Sequence, residues 1–286
     1  MQTRHFQDFP KAYQAYPKII KGLIAKKKTT ATALPEVSYQ VDQFKVDAKH
    51  LKKYNQVCGF KNNGYIPAIY LAVLSQSLQM QMMSQEAFPF AMLGLVHIRN
   101  QIQQKRKIGV NETLSLSCRF GETQPHDKGI LFDFITTVSV NGEEVMQGIT
   151  TYLARQKTTL KAAPAEKIKE ETPNYQSQAQ WPIEENIGRR YALVSGDFNL
   201  IHLHGLTAKA FGFKKAIAHG MWSKARALAS ISLPDAYQAD VWFKLPIYLP
   251  SQVELLTADT ADQTAFLIRH QSNHRPHVTG QIKALS

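Results

Sequence analysis

The chain has 286 residues, 44% of them hydrophobic, and a formal net charge of +12. That length allows one large domain or two of ordinary size, with a sizeable core. Its two cysteines, Cys58 and Cys118, have no Cys or His at finger spacing, which argues against a zinc module. A disulfide between them is not expected in a chain with this core-forming capacity. The N-terminus has no apolar signal core, and no apolar run reaches the ~18–20 residues of a membrane span, so a cytoplasmic protein is expected.

The basic balance suits nucleic acid, an anionic membrane, or a small phosphate-bearing or acidic-protein ligand. Composition does not choose among them. No nucleic-acid recognition motif is present.

In chain order, residues 1–35 read as a peripheral N-terminal arm. Within it, Tyr16–Ile24 is expected as a short amphipathic helix and Ala25–Thr30 as a solvated basic run. Val37–Val46 alternates apolar and polar residues, as a strand does. Asp47–Tyr54 reads as a helix with a polar start. Ile66–Met83, opening with Pro67, reads as a long buried helix whose Met80, Met82 and Met83 are adaptable core. Strands are predicted at Leu93–Ile102, Thr113–Phe120, Ile130–Val140 and Glu144–Ala154. The last two are joined by Asn141-Gly142, a strong hairpin signal. Residues 156–174 lose nearly all aromatic character and read as a linker. A helix over Gly220–Ser232 follows, then strands at Ala239–Leu245, Gln252–Ala258, Thr264–His270 and His277–Leu285.

The halves align with each other. Tyr54, Val57 and Gly59 match Tyr191, Val194 and Gly196 at one offset of 137. The order of elements matches as well. The difference carries the chemistry: Asp197 falls where the first half has Phe60. From Gly59 to Pro67 is eight residues, whereas from Gly196 to Gly220 is 24. The second half thus places Asn199, His202 and the run to His219 on a segment the first half lacks.

An Asp with a nearby His can activate water and deliver a proton. A backbone N–H at a helix N-terminus, here Gly220, can hold a developing oxyanion. A glycine there lets a ligand approach the backbone closely. The bland readings are a turn role for Asp197 and a structural role for His202. His204 and His219 are open on this ground, and His219 shapes the site or caps the helix. Ser223 has no base beside it and no nucleophile elbow.

The pattern Tyr191-x-x-Val-Ser-Gly-Asp-x-Asn-x-Ile-His202, followed by Phe211-Gly-x-x-x-Ala-Ile-Ala-His-Gly-Met221, resembles the MaoC-like (R)-specific enoyl-CoA hydratase and 3-hydroxyacyl dehydratase family. The resemblance implies an α+β double hotdog, two curved antiparallel sheets each wrapped around a helix. Residues 36–155 would form a degenerate hotdog and 175–286 the catalytic one. It implies a catalytic dyad of Asp197 and His202, loop ordering by Asn199, and Gly220 N–H as oxyanion donor. Where the family commonly has Pro after the Asn, this chain has Leu200.

The implied reaction is hydration of trans-2-enoyl thioesters or dehydration of (R)-3-hydroxyacyl thioesters, with no metal or redox cofactor. Coenzyme A or the phosphopantetheine of an acyl carrier protein enters as part of the substrate. His219 and Met221 are expected at the substrate. Lys214, Lys215, Lys224 and Arg226, with Lys209, are expected to meet coenzyme A phosphates or the acidic face of a carrier protein. The protein is expected to be a monomeric double hotdog or a homodimer of it. A hotdog thioesterase and a non-catalytic acyl-CoA-binding protein are the alternatives.

Overall fold

The structure, a computed structural model, describes residues 2–11, 33–92, 94–156 and 173–285. The expected helix Tyr16–Ile24, the basic run Ala25–Thr30 and most of the expected linker lie outside the described residues.

Strand alternation builds the sheet. β1 (Gln2–Phe6) and β2 (Val37–Phe44) begin it, and β3 (Leu95–Gln104), β4 (Leu114–His126), β5 (Gly129–Val140) and β6 (Glu143–Arg155) follow. β5 is buried at nearly every second residue, the mark of a strand with one face on a core. Asn141 and Gly142 both take positive φ, 49° and 83°, and turn β5 into β6.

Two helices lie in this half: α1 (Ala48–Cys58), capped by the Asp47 carboxylate on Lys49 N–H, and α2 (Ala68–Met83). Pro67 stands one position before α2, as its N-cap residue. Ala68 through Val73 are all buried, so the first half of α2 is enclosed on every side rather than lying on a surface. It packs on β2, β3, β4 and β5.

The second half contributes β7 (Gln176–Ile183), β8 (Tyr237–Phe243), β9 (Ser251–Asp259), β10 (Gln263–His270) and β11 (Pro276–Ala284). Its helices are α3 (Ile187–Ser195), α4 (Leu200–Leu203), α5 (Gly205–Ala210) and α6 (Gly220–Leu228). All eleven strands join in one sheet, ordered β1-β2-β4-β5-β6-β3-β8-β11-β10-β9-β7. Apart from β1, the order reads the same from either end, and the seam is the antiparallel pair β3–β8. The fold is the expected pair of hotdogs, fused edge to edge within one chain.

The repeat is visible in detail. Gly59 and Gly196 both end a helix at positive φ, 88° and 76°, and send their N–H back to Asn55 and Ala192 carbonyls. Tyr54 and Tyr191 meet between the halves, with ring centroids 6.2 Å apart.

Three features differ from the sequence expectations. β1 lies in the arm read as peripheral, and pairs parallel to β2 with Phe6 against Tyr39. β7 was not expected as a strand at all. Both lie at sheet edges, where both faces of much of the strand meet solvent and apolar alternation fades; β7 also tolerates Pro182. The added segment before Gly220 is not plain loop but α4 and α5. Asn199 Oδ1 accepts from Ile201 N–H to start α4, and His204 Nδ1 accepts from Leu206 N–H to start α5. Cys58 and Cys118 are free and buried. Among the described residues, no helix is long and apolar enough to cross a membrane.

Candidate active site

Asp197 leaves α3 just after the left-handed Gly196, which turns the chain back over the helix. Its Oδ1 accepts from Asn199 N–H at 3.1 Å, an Asx turn that orients the carboxylate. Its Oδ2 accepts from Gln76 Nε2 at 2.9 Å, and Gln76 lies on α2 of the other half. The Asp197 side chain keeps 22% of its surface open.

His202 sits on α4. Its Nδ1 lies 2.8 Å from the Ile217 carbonyl oxygen. A carbonyl only accepts, so Nδ1 carries the proton and Nε2 presents a bare lone pair. Residues 216–218 are held from both sides. Ile217 N–H donates to Ile201 O, Ala218 N–H to Ile247 O, and Leu249 N–H to Ala216 O. The acceptor that orients His202 is therefore rigid.

His219 stacks on His202, centroids 3.7 Å apart, and donates from Nε2 to the Asp197 carbonyl oxygen at 3.0 Å. It occupies the N-cap position of α6, but its side chain makes no cap hydrogen bond. Gly220 then opens α6, whose first N–H groups have no intrahelical partner. A Cβ on Gly220 would stand 3.0 Å from Phe243 Cδ1 and Cε1, so the glycine also lets Phe243 close against the helix start.

Burial pushes the Asp197 carboxyl up. The facing imidazoles of His219 and His202 and the N–H donors of Gln76 and Asn199 outweigh it and hold the group below its usual value. Burial drives His202 down, against the pull of Asp197 and the Ile217 carbonyl. Burial, and then His202, push His219 down to about 3. The resting state is one carboxylate facing two neutral imidazoles. Asp197, His202 and His219 offer donor atoms within 4.8 Å of one another, a spacing that suits a shared proton as well as a cation. Nδ1 of His202 and Nε2 of His219 face backbone carbonyls, which leaves Nε2 of the first ring and Nδ1 of the second as bare lone pairs.

The first half closes the opposite wall. Phe243 meets His97 edge to face at 4.8 Å, and His97 stacks on Tyr152 at 5.0 Å. Tyr152 O–H reaches Gln79 Oε1 at 3.4 Å, and Gln79 is one helical turn from Gln76. Sequence reading missed Gln76, Gln79, His97 and Tyr152. No local signal marks them, because their partners are distant in sequence.

The basic residues divide. Lys209, Lys214 and Lys215 are exposed around α5 and the segment after it. Met221 is buried in the first turn of α6. One expectation needs correction. Lys224 has 0% exposure and cannot reach solvent-side phosphates. Its Nζ donates to Asn100 O at 2.8 Å, Asn100 Oδ1 at 2.7 Å and Ala239 O at 3.3 Å, which ties α6 to the β3–β8 seam. Burial pulls its pKa well below the ordinary lysine value. Arg226 lies over the Trp181 ring at 5.1 Å and against Gly59, at the carbonyl end of α1, where a cation is favoured.

Lys224→Ala would leave buried carbonyls unpaired. The expected cost is about 3 kcal/mol in denaturant unfolding, with KM for a coenzyme A thioester within about twofold of wild type if Lys224 does not contact the substrate. A large KM change with intact stability would return Lys224 to the substrate.

Comparison with known proteins places these residues in context. A family model described as "MaoC like domain" matches residues 163–238. The 3-hydroxyacyl-thioester dehydratase X of Mycobacterium tuberculosis is 32% identical over 254 residues, covering 88% of this chain and 91% of that protein. A crystal structure of HtdX from that organism superposes with a TM-score of 0.76 at 30% identity, over 87% of this chain and 100% of that one. A MaoC-like dehydratase from Phytophthora capsici, 16% identical, shares the fold with a TM-score of 0.71 over 88% of this chain and 96% of its own.

Proposed function

Because this chain belongs to the MaoC-like dehydratase family, we propose that Asp197, His202 and the Gly220 N–H interconvert (R)-3-hydroxyacyl and trans-2-enoyl thioesters. The reaction class is that of a hydro-lyase: 3-hydroxyacyl thioesters lose water and 2-enoyl thioesters gain it. The observation that supports this assignment is convergence. A carboxylate, an imidazole with a free Nε2 and an unpartnered helix N-terminus meet at one place.

In the hydration direction, the thioester oxygen lies against Gly220 N–H. The α6 dipole favours the negative charge that builds there as the enolate forms. Water sits between Asp197 and His202 Nε2. Its oxygen bonds to C3 while one proton passes to the pair, and the same pair returns a proton to C2. The net change is OH to C3 and H to C2. Nothing in this cycle calls on a metal or redox group; coenzyme A or phosphopantetheine arrives as part of the substrate. Asn199 orders the carboxylate. His219 and Met221 border the thioester, and exposed Lys209, Lys214 and Lys215 favour a phosphate or acidic carrier near the entrance. A cytoplasmic setting belongs to this proposal and is supported by the two unpaired thiols. So does function as a monomer, since one chain supplies both halves of the pocket wall, although a homodimer of it would leave that wall unchanged.

Crotonyl-CoA and longer enoyl thioesters, on coenzyme A and on a carrier protein, test the assignment through loss of the enoyl absorbance. Release of free thiol without that loss would identify a thioesterase instead. Tight binding without turnover would identify a binding protein. The working form has Asp197 ionised and His202 neutral. Both groups are shifted downward, so this form is complete at neutral pH and is lost as pH falls. The expected profile of kcat/KM is flat from about pH 7 to 8, with its acid limb below the ordinary histidine value of ~6.5. A limb above pH 7 would contradict the assignment.

A further inference from the structure

We propose that Gln76, on the central helix of the half without the dyad, is a positioning residue that holds the Asp197 carboxylate in place and in its ionised form. The inference rests on the reading of Asp197 given above. It makes the first half a working part of the site rather than a spacer.

The geometry carries the argument. Gln76 is 121 residues from Asp197 in sequence, yet its amide donates to Oδ2 at 2.9 Å. Oδ1 is already occupied by Asn199 N–H. The two donors come from different halves and fix both oxygens, so the carboxylate plane cannot turn without losing one of them. Gln76 itself is fixed. α2 is buried along most of its surface, and its neighbouring polar residues are satisfied internally. Gln79 Nε2 donates to Ser75 Oγ, Ser75 Oγ to Ala72 O, and Thr136 Oγ1 to Ser75 Oγ. A polar thread through an otherwise apolar helix is costly unless every member has a partner. Gln76, one turn from Gln79 on the same helix, gives its amide to the Asp197 carboxylate instead.

The ionisable groups around Asp197 come from five places. They are His202 on α4, His219 before α6, Tyr191 on α3, His97 on β3 and Tyr152 on β6. Burial holds the imidazoles neutral and the phenols protonated at neutral pH. Among the hydrogen-bond donors that help to hold the carboxylate ionised, beside the larger effect of the facing imidazoles, Gln76 is the side-chain donor.

Two variants and one control test this. Gln76→Leu removes the donor with little change of volume. The expected result is a kcat lower by about tenfold, the order of losing one hydrogen bond to a charged acceptor, with KM within about twofold and the acid limb moved upward by about one pH unit. Gln76→Glu keeps the shape, so it covers the case in which the leucine variant does not fold. Two carboxyls then share one proton, and activity is expected to gain an alkaline limb, falling as pH rises and that shared proton leaves. A packing role would change thermal stability in either variant without moving a pH limb. Wild-type kcat and an unmoved limb in Gln76→Leu, or a flat profile in Gln76→Glu, would overturn the proposal. The control is the 13C carboxyl titration of Asp197 in wild type and Gln76→Leu, assigned with Asp197→Asn. It needs no turnover, so it separates failure of this inference from failure of the proposed reaction. Equal Asp197 titrations in the two proteins would overturn it independently.

Discussion

Asp197→Asn is expected to lower kcat/KM for crotonyl-CoA hydration by about a thousandfold, within the ~10²–10⁴ range of positioned acid–base groups. The substitution keeps the side-chain volume and an oxygen for Asn199 N–H, so the turn after Gly196 survives. It removes the charge and the proton acceptor, which is the difference the chemistry reads. His202→Ala is expected to lose a similar factor, because the Nε2 lone pair set by the Ile217 carbonyl disappears with it. The double variant should lose little more than either single one, since groups that act as a unit are not additive. Progress curves at saturating and limiting substrate, beside thermal unfolding of each variant, decide the matter. Either single variant within about tenfold of wild type would remove that residue from the mechanism.

Gly188→Ala is expected to have the next largest effect, although Gly188 touches no substrate. It lies in the first turn of α3, and a Cβ there would overlap the His202 carbonyl oxygen and stand 2.9 Å from its carbonyl carbon. The obstacle is backbone, which cannot rotate away. α4 must lift from α3 and carry the imidazole with it. A displacement on the order of 1 Å is enough to cost about a hundredfold in rate, and overpacking of this kind costs about 1–3 kcal/mol in stability. Leu193→Ala, on the same helix but with Leu193 72% exposed, is the control and should change neither. A fully active Gly188→Ala enzyme would mean that α4 has freedom the close packing does not suggest.

Much of the site was legible because it is local. Asp197, Asn199 and His202 lie within six residues, and an Asx turn and a short capped helix are built from neighbours in sequence. The hairpin at Asn141-Gly142 and the polar helix start at Asp47 were legible for the same reason. Each is a backbone conformation that a particular side chain favours. The edge strands β1 and β7 were not, because a strand wetted on both faces carries no alternation to read. Lys224 misled for a related reason. A lysine beside a motif looks like a phosphate ligand, and nothing local says that three carbonyls are waiting for it beneath the helix.

The sequence by itself determined the duplicated order of elements, the grouping of Asp197, Asn199 and His202 in the second half, and the family. Those follow from residue type and short spacing. Only the tertiary structure decided that the halves share one continuous sheet across β3 and β8, and that α2 reaches across with Gln76. It also decided that His97, Tyr152 and Phe243 close the far wall. The reason is physical. Hydrogen bonds and ring contacts between segments more than a hundred residues apart are set by how the strands pair and curve, and one residue's identity cannot reveal which distant partner the fold brings to it.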